Sequence, residues 1–167
     1  MRARHAERGA RRAREFEAFV AGAGGRLLHT ATLLTAEAPD DNPRARRLLT
    51  LALAHTYACW DRLRGEDPYD RARQYLAARF AHGAWHEFGG LVRTRPRPAG
   101  ALARLTPQER LVLVLRLYEG VAEEQVAALL GLPAERVHAV CDRATATVLH
   151  PPRERTAGAV GAGAAAS

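Results

Sequence analysis

Residues 123–144, EEQVAALLGLPAERVHAVCDRA, have the pattern of two short helices joined at a glycine. Apolar residues recur at helical spacing on both sides of Gly131, which predicts a helix-turn-helix whose second helix could enter the major groove of DNA. That second helix carries three side chains that could donate hydrogen bonds to bases or phosphates: Arg136, His138 and Arg143.

The predicted second helix, residues 134–149, nevertheless has almost no net charge. Its two arginines are offset by two acids, Glu135 and Asp142. These acids would face phosphates unfavourably unless one of them accepts a hydrogen bond from a cytosine amino group. Two interpretations therefore stay open: the arginines contact DNA, or they form surface ion pairs with neighbouring acids.

Other pairs of reactive residues do not complete a catalytic or metal-binding pattern. His55 and Cys59 are four residues apart, but the position three beyond the cysteine, where a further metal ligand would be needed, is Arg62 and not cysteine. His82 and His86 share the same spacing without the HExxH arrangement. The sequence also has no nucleophile elbow and no glycine loop that would cradle phosphates. We therefore predict that the protein is not an enzyme and holds no metal or other cofactor.

Helical periodicity accounts for the rest of the folded part of the chain. It predicts helices at about 15–34, 44–63 and 69–88, with the first interrupted at the GAGG of residues 22–25. Trp60 and Trp85 are interpreted as core residues of these helices.

A capping box marks the start of the next helix. Thr106, Pro107 and Glu109 follow the T-x-x-E pattern with proline at the first turn, which predicts a helix over residues 107–119. The run LVLVLRLYEG could also form a short buried strand, but the cap and the stop at Gly120 favour a helix. The predicted fold class is all-α, with two small helical domains joined by a linker and a helix-turn-helix in the second.

Composition divides the chain into five segments. We expect a basic disordered arm at residues 1–14, a helical domain at 15–92 and a linker rich in proline and glycine at 93–104. A helix-turn-helix domain at 105–150 and a disordered tail at 151–167 follow.

The charge of the chain indicates which classes of partner it could bind. The formal net charge is +7, and all 25 basic residues are arginine. Such a balance permits nucleic acid, an anionic membrane surface or an acidic protein as partner. Cys59 and Cys141 form no CxxC pattern, and no apolar run is long enough to span a membrane. We expect a protein of the reducing cytoplasm that does not bind membranes.

Two stretches of the sequence resemble a known protein family. FEAFVAGAGGRLLHTATLLT and LTPQERLVLVLRLYEGVAEEQVAALLGLPAERVHAVCDRA are similar to the two ends of extracytoplasmic-function (group IV) sigma factors of bacterial RNA polymerase, in particular a short actinobacterial subfamily. The similarity covers roughly residues 15–150. It implies a region-2-like domain followed by a region-4-like domain, with core RNA polymerase and promoter DNA as partners and an anti-sigma factor as a further candidate.

The resemblance also assigns a polymerase-binding surface. Where the family usually has an acidic AEDLVQE face, this chain has ARRLLTL at residues 45–51. The implied polymerase-binding residues are Arg46, Arg47 and Thr50. Because two arginines replace carboxylates, a contact with a basic clamp would become repulsive.

Two other functions compete with a sigma-factor-like initiation protein. One is a degenerate sigma homologue that acts as a protein-binding regulator with weak or no promoter recognition. The other is a response regulator of the two-component or quorum type, which ends in a similar helix-turn-helix. Residues 15–95 show no alternating strands for a receiver domain, which argues against the response regulator.

Overall fold

The computed structural model describes residues 2–63, 65–86, 98 and 100–150, and this part of the chain is all-α, as predicted. Two short 3₁₀ helices, Trp60–Arg62 and Ala101–Arg104, and a π-helix, Val114–Tyr118, accompany the α-helices. None of the described helices is long and apolar enough to span a membrane. The six α-helices are α1 (Arg2–Thr35), α2 (Pro43–Cys59), α3 (Pro68–His86), α4 (Pro107–Leu113), α5 (Glu123–Leu130) and α6 (Ala134–Leu149).

Helix α1 is longer and more regular than the sequence indicates. Residues 2–14, expected to be a disordered arm, are helical, and the helix continues through residues 22–25 without the expected break. Arginine, alanine and glutamate are good helix formers, and each interior glycine costs only about 1 kcal/mol. Packing offsets that cost, because Phe16 and Phe19 lie against Trp60 with ring centroids 5.2 and 5.5 Å away.

The arginine-rich end of α1 also contacts α2 and the 3₁₀ helix that follows it. The guanidinium of Arg12 donates a 3.0 Å hydrogen bond to Asp61 and lies 4.2 Å from the ring centroid of Tyr57. Arg12 of the basic segment therefore has partners within the fold, which the charge of that segment alone does not indicate.

The capping box is present as predicted. The Thr106 hydroxyl accepts the backbone N–H of Glu109 at 3.3 Å, and the Glu109 carboxylate accepts the backbone N–H of Thr106 at 2.9 Å. The predicted helix over 107–119 forms, but its second half is the π-helix, and Gly120 ends it with φ +67°. The strand alternative for this run is therefore wrong.

One continuous hydrophobic core joins the first three helices to the last three. Its members include Leu34 of α1, Leu76 of α3, Leu111 of α4 and Val126 of α5, all almost fully buried. The helix-turn-helix unit thus packs on α1 and α3. Residues 93–97 and 99 of the expected linker lie outside the described residues, whereas residues 101–104 form a 3₁₀ helix. Met1, the side chain of Trp85 and the whole tail also lie outside the described residues.

A buried carboxylate holds the two groups of helices together. Glu119, whose side chain is fully buried, accepts hydrogen bonds from the Tyr69 hydroxyl at 2.8 and 2.9 Å and from the Thr30 hydroxyl. Arg26 donates to it at 3.1 Å and Arg73 lies 3.8 Å away. Burial is the largest cause that raises the pKa of Tyr69, followed by the hydrogen bond to Glu119 and by the charge of that carboxylate. We call these five residues the Glu119 network.

We predict that Glu119→Gln lowers the free energy of unfolding by about 3 kcal/mol, because it removes one partner from a buried, charged network. Urea denaturation followed by circular dichroism measures the loss. Glu124→Gln, the same change at an exposed acid of α5, should stay within about 0.5 kcal/mol of the wild type. Equal stability of the two variants would show that the network does not stabilise the fold.

Candidate nucleic-acid interface

The turn between α5 and α6 has the geometry of a helix-turn-helix. Gly131 follows α5 in the left-handed region, with φ +64°, where glycine carries no Cβ penalty. The N–H of Leu132 then donates to the carbonyl of Ala127 at 3.0 Å, which closes the end of α5. Helix α6 begins at Ala134, two residues later.

Helix α6 is amphipathic, and its apolar face fixes its rotation. Val137, Val140 and Ala144 are buried, in contact with α4 and α5. Arg136, His138 and Arg143 are all exposed, and the helical repeat puts the two arginines on one flank of α6 and His138 on the other. Exposure of this kind is what base or phosphate contacts need.

The three predicted donors differ in what they already contact. The side chain of Arg136 is exposed and has no ion-pair or hydrogen-bond partner among the described residues. The ring of His138 is 65% exposed, but it lies between two carboxylates: Nδ1 is 3.2 Å from Glu123 and Nε2 is 3.3 Å from Asp142. Arg136 is thus the donor that could reach DNA without giving up an existing contact.

Arg143 is paired with the capping box. Its Nε donates to Oε1 of Glu109 at 2.8 Å while the other oxygen of that carboxylate caps α4. Partial burial acts to raise the pKa of Glu109, but the hydrogen bonds from Arg143 and from Thr106 outweigh it and hold that pKa below its ordinary value. Contact of Arg143 with a phosphate would therefore have to replace an existing charge-assisted bond.

The predicted polymerase-binding residues share one exposed face of α2. Arg46 donates from Nε to the side chain of Asn42 at 2.9 Å, and the Thr50 hydroxyl donates to the Arg46 carbonyl at 2.9 Å. Arg47 is exposed and lines a cavity between α2 and α3. None of these three positions carries an acidic side chain.

Sequence reasoning missed the acids of other helices that contact α6. The capping box predicts Glu109 as a helix cap, and the apolar spacing places Glu123 on the first helix of the helix-turn-helix. Neither pattern indicates that Glu109 and Glu123 reach across to α6, because that depends on how the helices cross. His55 Nε2 lies 3.9 Å from Cys59 Sγ. No group of three or more metal-ligating residues occurs within the described ranges.

Residues 101–148 match the family model described as Sigma-70, region 4. The match begins at the 3₁₀ helix before α4 and ends within α6, so it covers the whole helix-turn-helix unit. It supports a relationship to sigma factors and a sigma-factor-like DNA-binding role. This family is a non-enzymatic transcription-factor domain, which is compatible with a protein that is not an enzyme. No curated protein and no solved structure matches the chain significantly.

The Glu109 carboxylate should make stability depend on pH. Because its folded-state pKa lies below the ordinary value of 4.5, its contribution is present in full above pH 4.5 and is lost as the pH falls through the lowered pKa. We predict that Glu109→Ala lowers the free energy of unfolding by about 1 kcal/mol at neutral pH, through loss of the cap and the Arg143 pair.

Chemical denaturation at neutral pH and at a pH well below 4.5 tests this, with Glu17→Ala as an exposed control on α1. The difference between Glu109→Ala and the wild type should shrink at the lower pH. A difference that stays constant with pH would mean that the ionised carboxylate contributes nothing.

Proposed function

We propose that this protein is a sigma-factor-like transcription initiation factor of the extracytoplasmic-function group, which binds core RNA polymerase and promoter DNA. The observation that carries the proposal is the coincidence of the region 4 match with a helix-turn-helix whose second helix exposes Arg136. The match also favours a sigma-type protein over a response regulator.

The proposed DNA interface is the exposed face of α6, with Arg136, His138 and Arg143 as donors. Arg136 can form a bidentate contact with a guanine edge, or a contact with phosphate, at no cost to the protein's own ion pairs. Engagement of the other two donors exchanges a contact with a protein carboxylate for one with DNA, so their net contribution is smaller.

The proposed polymerase interface is the face of α2 that carries Arg46, Arg47 and Thr50. Its positive charge suits an acidic surface and opposes a basic one. We propose weak binding to the clamp surface that acidic sigma factors use. An anti-sigma factor is a further proposed partner, and the reducing cytoplasm is the proposed location.

The competing function is that of a degenerate sigma homologue acting as a protein-binding regulator. The contacts of α6 favour it: two of three donors already contact carboxylates, His138 with Glu123 and Asp142, and Arg143 with Glu109. A helix neutralised in this way binds DNA weakly and with little base discrimination. The two proposals differ in what Arg136 does on DNA.

We predict that Arg136→Ala lowers affinity for a cognate promoter duplex by about tenfold and for a scrambled duplex much less, because a bidentate base contact contributes about 1–3 kcal/mol of discrimination. Fluorescence anisotropy across a salt series measures both affinities, with the cognate fragment selected by transcription from genomic DNA. Arg8→Ala, an exposed arginine of α1, is the control and should leave the ratio of the two affinities unchanged.

Wild-type protein that binds the two duplexes equally would contradict promoter recognition by α6 and favour the protein-binding regulator. A ratio that falls equally in Arg136→Ala and Arg8→Ala would show that charge alone governs the binding.

We predict that changing Arg46 to Glu and Arg47 to Asp strengthens binding to core RNA polymerase several-fold, since the change restores negative charge opposite a basic clamp. A pull-down of core polymerase over a protein titration measures it. The control changes Arg4 to Glu and Arg8 to Asp, which alters the net charge equally on α1. Tight binding by the wild type that weakens on the Arg46 and Arg47 change would contradict the proposed repulsion.

A further inference from the structure

A cavity of about 620 Å³ lies between α2, α3 and the segment that leads into α4. Among the described residues that line it are four arginines, Arg44, Arg47, Arg79 and Arg110, and no aspartate or glutamate. A cavity of this size is typical of small-molecule sites, which span roughly 300–1,000 Å³. We call it the arginine pocket.

The innermost arginine of the pocket is buried without a carboxylate partner among the described residues. Arg110 is only 6% exposed, and its two terminal nitrogens donate to the carbonyls of Leu34 at 2.8 Å and Leu105 at 3.1 Å. Its Nε has no hydrogen-bond partner. Burial and the charge of Arg44 lower the pKa of Arg110. Carbonyl dipoles orient this guanidinium, but no opposite charge neutralises it.

Two further arginines stand at the opening of the pocket. The side chains of Arg47 and Arg79 are exposed and have no ion-pair or hydrogen-bond partner among the described residues. Guanidinium groups bind carboxylate, phosphate and sulfonate-like oxyanions through paired donors. A bound anion would give these two guanidinium groups an opposite charge that no described side chain supplies to them.

The remaining wall is largely apolar. Leu51, Phe80 and Leu105 line it together with other aliphatic and proline side chains, and the Thr35 hydroxyl there already donates to the Ala31 carbonyl. Such a wall favours an uncharged, apolar body. The pocket therefore combines arginine side chains with a largely apolar wall.

We propose that the arginine pocket binds a small organic anion, with a phosphate, sulfonate or carboxylate group on Arg47 and Arg79 and an apolar body against Leu51 and Phe80. Its enclosure by three separate segments suits a small molecule better than a nucleic-acid backbone or a membrane surface. A ligand there contacts both α2–α3 and the start of the helix-turn-helix unit, so binding also stabilises their packing.

Two dyes that share one apolar body test the proposal on the full chain. Anilinonaphthalene sulfonate carries the anionic group, and phenylnaphthylamine lacks it. Titration by fluorescence and calorimetry should show saturable one-site binding of the sulfonate, at least about tenfold tighter than that of the neutral dye. The sulfonate should also bind more weakly as salt increases, and pyrophosphate should compete with it.

The double variant Arg47→Ala and Arg79→Ala should lose at least about tenfold in affinity for the sulfonate and leave the neutral dye unaffected. The control, Arg4→Ala with Arg8→Ala, removes the same charge from α1 and should bind as the wild type does. Both substitutions in the pocket are at exposed positions, and thermal melts confirm that each variant is folded.

Equal binding of the two dyes, or undiminished binding by the pocket variant, would overturn the proposal. Equal losses in the pocket variant and the α1 control would likewise overturn it, because net charge alone would then explain the binding.

Discussion

The buried carboxylate of Glu119 constrains how the two groups of helices can meet. A charge removed from water is costly unless hydrogen bonds and opposite charges surround it. Here those groups come from elsewhere in the chain: hydroxyls of α1 and α3, and two arginines. They are in place only when the helix-turn-helix unit sits on α1 and α3. Apolar packing drives this association, while the Glu119 network selects its geometry.

Docking in this geometry separates the two faces of the helix-turn-helix unit. The face that holds Leu111 and Val126 is covered by the first three helices, and the exposed face of α6 remains open. Acids from α4 and α5 then contact two of the three candidate DNA-binding side chains on α6. The shape needed to enter a groove is kept, but the attraction to a polyanion is reduced. DNA affinity in the proposed function is therefore a competition between phosphates and the protein's own carboxylates.

Local signals predicted local structure well. The Thr106 capping box, the glycine at 131 and the apolar spacing of α5 and α6 each act within one or two turns, so the sequence is sufficient to indicate them. The interactions that depend on how helices cross were not predictable in this way. Nothing near Glu119 marks it as buried, and the contacts of Arg12 with Tyr57 and Asp61 join residues that lie far apart in the chain. The arginine pocket likewise combines residues that the sequence separates widely.

The shared core and the Glu119 network make the six described α-helices one cooperative unit, and native-state hydrogen exchange across a denaturant series tests this cooperativity most directly. Protected amides of α1 around Leu27–Leu34 and those of α4–α6 around Leu111 and Val140 should exchange through one opening with the same free energy and the same denaturant dependence. Two distinct opening energies, with α4–α6 protected after α1 has opened, would contradict the account. The helix-turn-helix unit would then be an independent domain that only rests against the rest of the chain.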